Sequence, residues 1–497
     1  MRFNPLIITA MTALLAGLAG GGRPCRAQTQ PPAPAVPAGP PQGFTRYNFL
    51  RGEEDFGFLR NDSLRTDFFD PLKYIPLSRQ PGYYLTLGAD IRYQYEAIRH
   101  ENWGAVPPDG HDTDGYLLQR HMLHTDWRLG SHLRVFAQLL STNVQGRTDG
   151  PRPELDRDEL DLYQAFANIS APLGRAQAVL RVGRQEFNYG SGLLLSMREG
   201  PNTRQSFDAV RLALTRQRWR VDALVGRPLF TRPGVFDDRG FLSPQLLWGV
   251  YATRAKSLPP PRRGGFDVFY FGLNKDAALF LQGVAPERRH SAGLRWWRDP
   301  APTAPLGYDL SVIGQLGTFG VGRIRAYYAS AVGYYQLARW PLTPTFRYAT
   351  NVISGDDDPN NPNLQTFNAL YPRPYFGTAT TPIGPGNLID VHPGVELHFT
   401  PKMTLLVDLD WLWRYSARDG IYTPSVFPVI PLAAAPGPPL SSRRYIGRQF
   451  NADYAWQATR HLALGLAYAW IPAGDYLQDQ TPGLPLSYFR STALFQF

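Results

Sequence analysis

The sequence predicts an all-β protein, namely a transmembrane antiparallel β-barrel of about 18 strands with short periplasmic turns and long extracellular loops. Apolar and polar residues alternate over segments such as 84–98, which are long enough to cross a bilayer as tilted strands. Short turns such as 128–130 are followed by connections of roughly ten to thirty residues, the asymmetry typical of outer-membrane barrels. Aromatic residues gather toward the ends of the predicted strands, where a bilayer meets water.

Two leader segments are expected ahead of the barrel. Residues 1–27 have the features of a signal peptide: Arg2, an apolar run, and Cys25-Arg26-Ala27, which places small residues at the two positions that define cleavage. A lipidated Cys25 is the weaker alternative, because Arg23-Pro24 replaces the small residues that should precede it. Residues 28–45 are rich in proline and predict an extended spacer. Cys25 is the only cysteine, which excludes disulfides and cysteine-based metal sites from the mature protein.

Residues 46–82 are expected to form a periplasmic N-terminal segment, and residues 83–497 the barrel. In the first barrel strand, Leu85, Leu87, Ile91, Tyr93 and Tyr95 alternate with Thr86, Asp90, Arg92, Gln94 and Glu96. The chain ends on an alternating segment whose last residue is Phe497, similar to the terminal signature of outer-membrane barrel proteins. The aromatic residues near predicted strand ends are Tyr83, Tyr84, Trp127, Trp219, Trp296, Trp297, Trp411, Trp413, Trp456 and Trp470.

The alternation predicts eighteen strands, and this even number places both ends of the barrel on the periplasmic side. The patterns near 246, 265 and 288 are the weakest of the set. A barrel of this size leaves an open lumen unless loops or polar side chains constrict it. The predicted strands begin near residues 84, 115, 131, 159, 175, 207, 219, 246, 265, 288, 306, 324, 345, 387, 403, 445, 461 and 488.

Arginine is the unusual part of the composition, because only four of the 51 basic residues are lysine. Several arginines stand opposite apolar neighbours on their strands and are expected to face the lumen: Arg92, Arg134, Arg181, Arg211, Arg220, Arg295, Arg325, Arg414 and Arg490. The same face carries Asp90, Glu96, Asp161, Asp222, Asp309, Asp408 and Asp410. Two interpretations stay open. The arginines brace the barrel by pairing with these acids, or they line a narrow channel that attracts anions.

From about residue 47 onward, several motifs resemble the alginate export family of outer-membrane barrels. They are Leu72-Lys73-Tyr74-Ile75-Pro76-Leu77, Tyr84-Leu85-Thr86-Leu87-Gly88, Phe136-Ala137-Gln138-Leu139 and Asp161-Leu162-Tyr163-Gln164-Ala165-Phe166. The most specific are the runs 180–192, which contains Leu180-Arg181-Val182-Gly183-Arg184-Gln185, and 198–211. The resemblance is strong in the N-terminal half and mostly architectural after residue 300. It implies an eighteen-stranded channel with an arginine-rich constriction that passes a polyuronate.

Arg181, Arg184 and Gln185 match the core of the family motif, and Arg198 and Arg204 lie in the connection that follows it. That connection is long enough to fold into the lumen, and its glycines permit the tight backbone this needs. The residues expected to line the pore or contact solute are Arg92, Glu96, Arg134, Arg181, Arg184, Gln185, Arg198, Arg204 and Arg211.

The resulting hypothesis is a channel in the cell outer membrane, surrounded by lipid, that passes an anionic polysaccharide or oligosaccharide of the alginate type. Export or assembly proteins of the periplasm are candidate partners, and binding of nucleic acid is not expected. The first alternative is a porin for uptake of small organic acids. The second belongs to another class, a barrel enzyme or adhesin. Bilayer conductance separates the first two, because block by uronate oligomers favours export and block by small carboxylates alone favours the porin.

Catalytic and metal-binding patterns are weak, so neither a catalytic site nor a cofactor is expected. His290 and Ser291 are adjacent and would face opposite sides of a strand. No metalloprotease, nucleophile-elbow or phosphate-loop motif occurs in the sequence. Carboxylates and amides cluster in residues 355–363, as calcium prefers, but they lack the spacing of a defined site and are interpreted as a solvated outer loop.

Overall fold

Eighteen long antiparallel strands follow one another along the chain and close into one barrel. The structure is a computed structural model that describes residues 47–105, 113–148, 150–152, 154–257, 263–373, 380–424, 428–430 and 439–497. The strands are β1 Tyr83–Arg99, β2 Thr113–Leu129, β3 Leu133–Gln145, β4 Asp158–Leu173, β5 Ala176–Gln185, β6 Phe207–Arg216, β7 Trp219–Pro228, β8 Gln245–Ser257, β9 Arg263–Phe280, β10 Gly283–Arg298, β11 Leu306–Phe319, β12 Gly322–Gln336, β13 Thr345–Ile353, β14 Leu388–Thr400, β15 Met403–Arg414, β16 Tyr445–Gln457, β17 Leu462–Ile471 and β18 Leu486–Gln496.

The barrel closes where the last strand pairs with the first. β18 and β1 are antiparallel over a register that runs from Asp90 opposite Gln496 to Arg99 opposite Ser487. Each other strand pairs with its neighbours in sequence, so none of the described barrel strands is an edge strand. The predicted strand number is confirmed, including β8, β9 and β10, whose alternation is the weakest in the sequence.

Side chains alternate between the lumen and the outer surface as the sequence pattern predicts. In β1, Arg92 and Glu96 are buried in the interior, whereas Tyr93 and Tyr95 are exposed outside. Other exposed outward residues are Leu123, Val135, Val182, Val210, Val225, Val250, Val268, Leu294, Val312 and Leu466. They form the apolar belt that a barrel presents to lipid.

Three residues face the other way from their predicted direction. Arg325 is exposed on the outside of β12, because its neighbour Ile324 is buried under the backbone of residue 364. Tyr84 and Trp297 are buried on the inside instead of joining an interfacial girdle. The girdle near the termini instead contains the exposed outward residues Trp127, Trp219, Trp296 and Trp456.

Both ends of the barrel lie on one side, which we call the terminal side; the opposite side is the loop side. The terminal side carries short connections such as 130–132, 174–175 and 401–402. The loop side carries long ones, including 186–206 and 354–387, as expected for the extracellular face. Two loop-side connections are exceptions, because 281–282 and 320–321 are tight turns. The connection 354–387 covers this part of the wall, and its Leu364 forms a parallel bridge with Ile324.

The connection 186–206 and the described part of the connection 354–387 fold into the lumen and pair with each other there. Leu195 and Tyr371 form a parallel bridge, and the Ser196 N–H donates to the Tyr371 carbonyl at 2.8 Å. They pack on inward aromatic residues of β9, including Phe269 and Phe271, in one apolar cluster. At Phe269, Phe271 and Leu273 the inner face of β9 is therefore apolar, as its lipid-facing side is, which explains why its alternation is weak in the sequence.

The N-terminal segment enters the barrel from the terminal side. Arg51–Glu53 and Gly57–Arg60 are 3-10 helices, Asp70–Lys73 is a short α-helix, and Ile75–Pro76 pairs with β1. A Cβ added at Gly52 would lie 3.3 Å from the inward ring of Phe166, so this part of the segment touches the inner wall. An apolar cluster joins the segment to β1 and comprises Tyr47, Phe56, Leu59, Tyr74 and Tyr84.

Lys73 fastens the segment to the end of the chain. Its fully buried ammonium group donates to the Leu87 carbonyl at 2.8 Å and lies 5.4 Å from the ring of Phe497. Arg51 donates to the Phe497 backbone oxygen at 2.6 Å, and the Phe69 ring stacks on the Phe497 ring at 4.6 Å. The C-terminal phenylalanine thus contacts the N-terminal segment as well as the barrel wall.

No helix among the described residues is long and apolar enough to span a bilayer. The predicted signal peptide 1–27 and spacer 28–45 lie outside the described residues. The assignment of residues 46–82 to the periplasm stays a prediction. The structure shows in addition that the described part of this segment contacts the interior of the barrel.

Cysteine labelling tests the assignment of faces. In a Cys25→Ser background, Val312→Cys should react with a membrane-permeant maleimide in the folded protein, because Val312 is 61% exposed on the outer surface. Ile313→Cys should stay unreactive until the barrel is unfolded, because Ile313 is 1% exposed and faces the packed lumen. Mass spectrometry of both variants measures the labelling. Equal reactivity at the two positions would contradict the assigned register.

Candidate functional site

Inside the lumen, the connection 186–206 brings a carboxylate against three arginines. Glu199 contacts Arg92 of β1, Arg120 of β2 and Arg204 of the connection itself. We call Arg92, Arg120 and Arg204 the Glu199 cluster. Arg92 and Arg120 lie directly opposite each other across the β1–β2 ladder, so two neighbouring strands present their guanidinium groups to one carboxylate.

The geometry of the Glu199 cluster favours an anion. Arg92 Nη1 lies 3.6 Å from Glu199 Oε1, and the same group donates to the Glu199 carbonyl at 3.1 Å. Arg120 donates to Oε1, and Arg204 Nε donates to Oε2. All three arginines are buried, while the Glu199 side chain keeps 20% of its surface exposed. Guanidinium groups in this arrangement bind carboxylates with charge-assisted hydrogen bonds.

A buried asparagine fixes the connection that carries Glu199. Asn202 Nδ2 donates to the backbone oxygens of Asp156, Gln119 and Asn143 at 2.9 to 3.0 Å. Arg92 Nη2 in turn contacts Asn202 Oδ1 at 3.3 Å. These bonds hold the connection against β2 and β3, so the position of Glu199 follows from the backbone around it.

A second group of arginines meets a carboxylate of the N-terminal segment. Glu53 Oε1 lies 3.0 Å from Arg181 Nη1 and 3.2 Å from Arg211 Nη2. Arg134 donates to the Gly52 carbonyl at 2.7 Å and pairs with Asp126 at 2.6 Å. We call Arg134, Arg181 and Arg211 the Glu53 cluster. It couples three strands of the wall to the segment that enters from the terminal side.

The two carboxylates are ionised because of their arginine neighbours. Burial alone would raise the pKa of Glu199, but Arg120, Arg204 and Arg92 outweigh burial and lower that pKa to about 2. Burial opposes ionisation of Glu53 as well, and Arg181 and Arg211 hold its pKa well below the ordinary value. Each cluster therefore stabilises a negative charge in the lumen.

The other predicted site residues have different surroundings. Arg184 is shared between Asp208 at 2.9 Å and Asp161 at 3.1 Å. Gln185 is fully buried and donates to the backbone oxygens of residues 183 and 209 at 3.1 Å. Glu96 accepts a hydrogen bond of 2.6 Å from the Tyr116 hydroxyl.

Arg198 lies over the ring of Tyr371 at 5.6 Å, on the side of the connection 354–387. Of the nine predicted pore-lining residues, five belong to the two clusters, namely Arg92, Arg204, Arg134, Arg181 and Arg211. Whether any of the nine contacts solute stays a prediction.

Sequence reasoning missed Arg120, Glu53 and Glu199. Arg120 stands at an inward position of β2, but the outward positions nearby include Gln119 and His121, so the alternation there is blurred. Its position opposite Arg92 can be predicted once the strands of the β1–β2 hairpin are aligned. Glu53 and Glu199 lie outside the strands, where the alternation of side chains does not predict whether a residue faces the lumen.

The remaining predicted features stay apart from the clusters. Ser291 is buried in the lumen and His290 is exposed, so the two face opposite sides as predicted. The acidic connection at 355–363 is folded by its own hydrogen bonds, in which Asp356 accepts from the backbone of Asp358 and Gln365 at 2.9 Å.

Solved structures with similar folds are outer-membrane barrels. They include OpdO of Pseudomonas aeruginosa (14% identity, TM-score 0.54, covering 83% of this chain and 97% of that one) and OccAB1 of Acinetobacter baumannii (12%, 0.55, 83% and 96%). OpdK of Pseudomonas aeruginosa, solved with vanillate, has 9% identity and a TM-score of 0.52, with 83% and 98% of the two chains covered. At these identities the similarity shows the fold alone.

No curated protein matches the chain. The family model described as alginate export matches residues 83–484, which is most of the chain and nearly the whole barrel. The match includes all seven arginines of the predicted pore lining and the arginines of both clusters, whereas Glu53 lies ahead of it. The chain belongs to the alginate export family of proteins of the cell outer membrane.

Proposed function

We propose that the protein is a channel that passes an anionic polysaccharide or oligosaccharide of the alginate type across the outer membrane. One observation carries this proposal: two arginine clusters in the lumen each hold a carboxylate, Glu199 in one and Glu53 in the other. A polyuronate carries one carboxylate on each sugar. Its charged groups are therefore chemically equivalent to those that the clusters already hold.

The protein's own carboxylates act as internal stand-ins for the solute. An anion that enters the lumen replaces Glu199 between Arg92 and Arg120, or Glu53 between Arg181 and Arg211. Such an exchange keeps every guanidinium paired, so the barrel avoids the cost of a buried unpaired charge. The described arrangement is then the resting state, in which the N-terminal segment and the connection 186–206 occupy the path.

A porin for small organic acids is the second candidate. The similarity to barrels such as OpdK, which has been solved with vanillate, a small carboxylate, favours it. Such a solute would use the same arginines, because guanidinium recognises carboxylate in either molecule. The two candidates differ in whether recognition extends over several sugar units.

Conductance of the purified full-length protein in planar bilayers tests both candidates. The proposal predicts anion-selective current that uronate oligomers block at lower concentration than monomeric uronate, because an oligomer offers several carboxylates to the arginines of the lumen. Block by vanillate or monomeric uronate at equal or lower concentration than oligomers would favour the porin. A neutral oligosaccharide of equal length is the control. Absence of anion-selective conductance would contradict both candidates.

Substitutions of Glu199 and of one arginine of the Glu199 cluster should change the anion selectivity of the channel in opposite directions. Glu199→Gln removes a negative charge and should raise the anion-to-cation permeability ratio about tenfold, whereas Arg120→Ala should lower it by a similar factor. A unit charge ~8 Å from the ion path, in an effective dielectric of ~60, changes the energies of an anion and a cation by about 0.7 kcal/mol each in opposite directions, so the ratio changes by about 1.4 kcal/mol. Reversal potentials in a salt gradient measure the ratio.

Arg325→Ala is the matched control for these variants, because Arg325 is exposed on the outside of the barrel. It should leave the ratio unchanged. Heat-dependent migration on a denaturing gel shows whether each variant has folded. If Glu199→Gln and Arg120→Ala both fold and move the ratio in the same direction, the cluster does not set selectivity and serves to brace the wall.

A further inference from the structure

On the loop side, the connection 229–244 lies along the beginning of β4. The first residues of β4 extend beyond the part that pairs with β5, whose register begins at Ala165 opposite Arg184. The connection takes the place of β5 here. The Phe236 N–H donates to the Leu160 carbonyl at 2.9 Å, and Leu160 and Val235 form a parallel bridge.

This alignment brings carboxylates from the two segments together. Ligand oxygens of Asp161, Asp237 and Asp238 all lie within 4.8 Å of one another. The Asp238 N–H donates to Asp161 Oδ2 at 3.0 Å, which fixes the distance between strand and connection. Arg184 contacts Asp161 at 3.1 Å, but it also pairs with Asp208 and cannot neutralise the group.

Asp158 adds an independent observation. It is 1% exposed, and neither oxygen of its carboxylate has a hydrogen-bond partner among the described residues. The charges that act most strongly on this carboxylate are those of Asp238, Asp161 and Asp237. A buried carboxylate without a hydrogen-bond partner is costly when three other carboxylates act on it, because burial removes water and like charges repel. A bound cation removes this cost.

We propose that Asp158, Asp161, Asp237 and Asp238 form a calcium site that fixes the connection 229–244 to β4. Calcium takes six to eight oxygen ligands in flexible geometry and is commonly bound by several aspartates. Four carboxylates from a strand end and a connection supply such ligands. Magnesium usually retains several waters and binds through one or two carboxylates, so a group of four suits it less well.

The site would join two parts of the loop side that are distant in sequence. Gly240, two residues after Asp238, lies against the carboxylate of Asp208, which pairs with Arg184. Calcium would thus hold the connection 229–244 next to the residues that support the start of the connection 186–206. The inference rests on the acidic group alone and does not depend on which solute the channel passes.

Calcium binding to the full-length protein in detergent, after removal of metal with a chelator, tests the proposal. Titration calorimetry should show one calcium ion per chain, with a Kd of about 10⁻⁴ to 10⁻³ M as in extracellular calcium modules. Asp158→Asn and Asp237→Asn should each weaken binding at least about tenfold, since each removes one charged ligand. Asp357→Asn, at an exposed position of the acidic connection 355–363, should bind as the natural protein does.

A second readout reports on the connection itself. Arg239 is exposed one residue after Asp238, and trypsin cleavage there can be followed by mass spectrometry. Calcium at ten times its Kd should slow this cleavage about tenfold, because binding stabilises the closed connection by mass action. Asp237→Asn, whose side chain is the less buried of the two substituted aspartates, serves if Asp158→Asn does not fold.

Each result of these experiments either supports the calcium site or overturns it. Loss of binding in the Asp158 or Asp237 variant together with calcium-dependent protection at Arg239 supports the site. Absence of calcium binding, unchanged binding in both variants, or loss of binding in Asp357→Asn would overturn it. Tighter binding of magnesium than of calcium would overturn the choice of metal.

Discussion

The pairing of arginine with carboxylate inside the barrel is the interaction on which the rest of the structure depends. Eighteen strands enclose a lumen too wide for wall side chains alone to fill, so charged groups on the wall need partners from inserted segments. Arg181 and Arg211 find Glu53, and Arg92 and Arg120 find Glu199. Elsewhere the wall pairs with itself, as Arg295 does with Asp267 and Asp309. Removal of one partner from such a pair leaves a buried charge, which is why these contacts determine where the segments lie.

The lumen is filled in two chemically different ways, and the difference bears on transport. On the loop side, the connections 186–206 and 354–387 pack through apolar side chains such as Leu195 and Phe269, which a polar solute cannot replace. Glu53 and Glu199 are held by charge, which an anionic solute can replace group for group. Under the proposed function, the exchangeable contacts lie at the arginine clusters, and passage of an anion would require the N-terminal segment and the tip of the connection 186–206 to move. The apolar part of that connection would provide a fixed base for the movement.

Strand number, closure and the direction of most side chains could be predicted from the sequence, because a period of two over long segments has few other interpretations. β9 is one of the three strands with a weak pattern, since its inward Phe269 and Phe271 contact loops and both of its faces are apolar at that level. The alternation of residues along the strands was enough to predict that Arg92, Arg134, Arg181 and Arg211 face the lumen. Their partners could not, because Glu53 and Glu199 lie in irregular segments whose path depends on the assembled wall. For the same reason the sequence does not reveal the approach of Asp237 and Asp238 to Asp161.

A crystal structure of the protein with a bound uronate trimer would show directly whether a solute carboxylate replaces the protein's own. We expect a sugar carboxylate between Arg92 and Arg120, within hydrogen-bonding distance of both guanidinium groups, with Glu199 displaced from its present position. A trimer bound away from both arginine clusters, with Glu199 and Glu53 still held by their arginines, would show that no such exchange occurs.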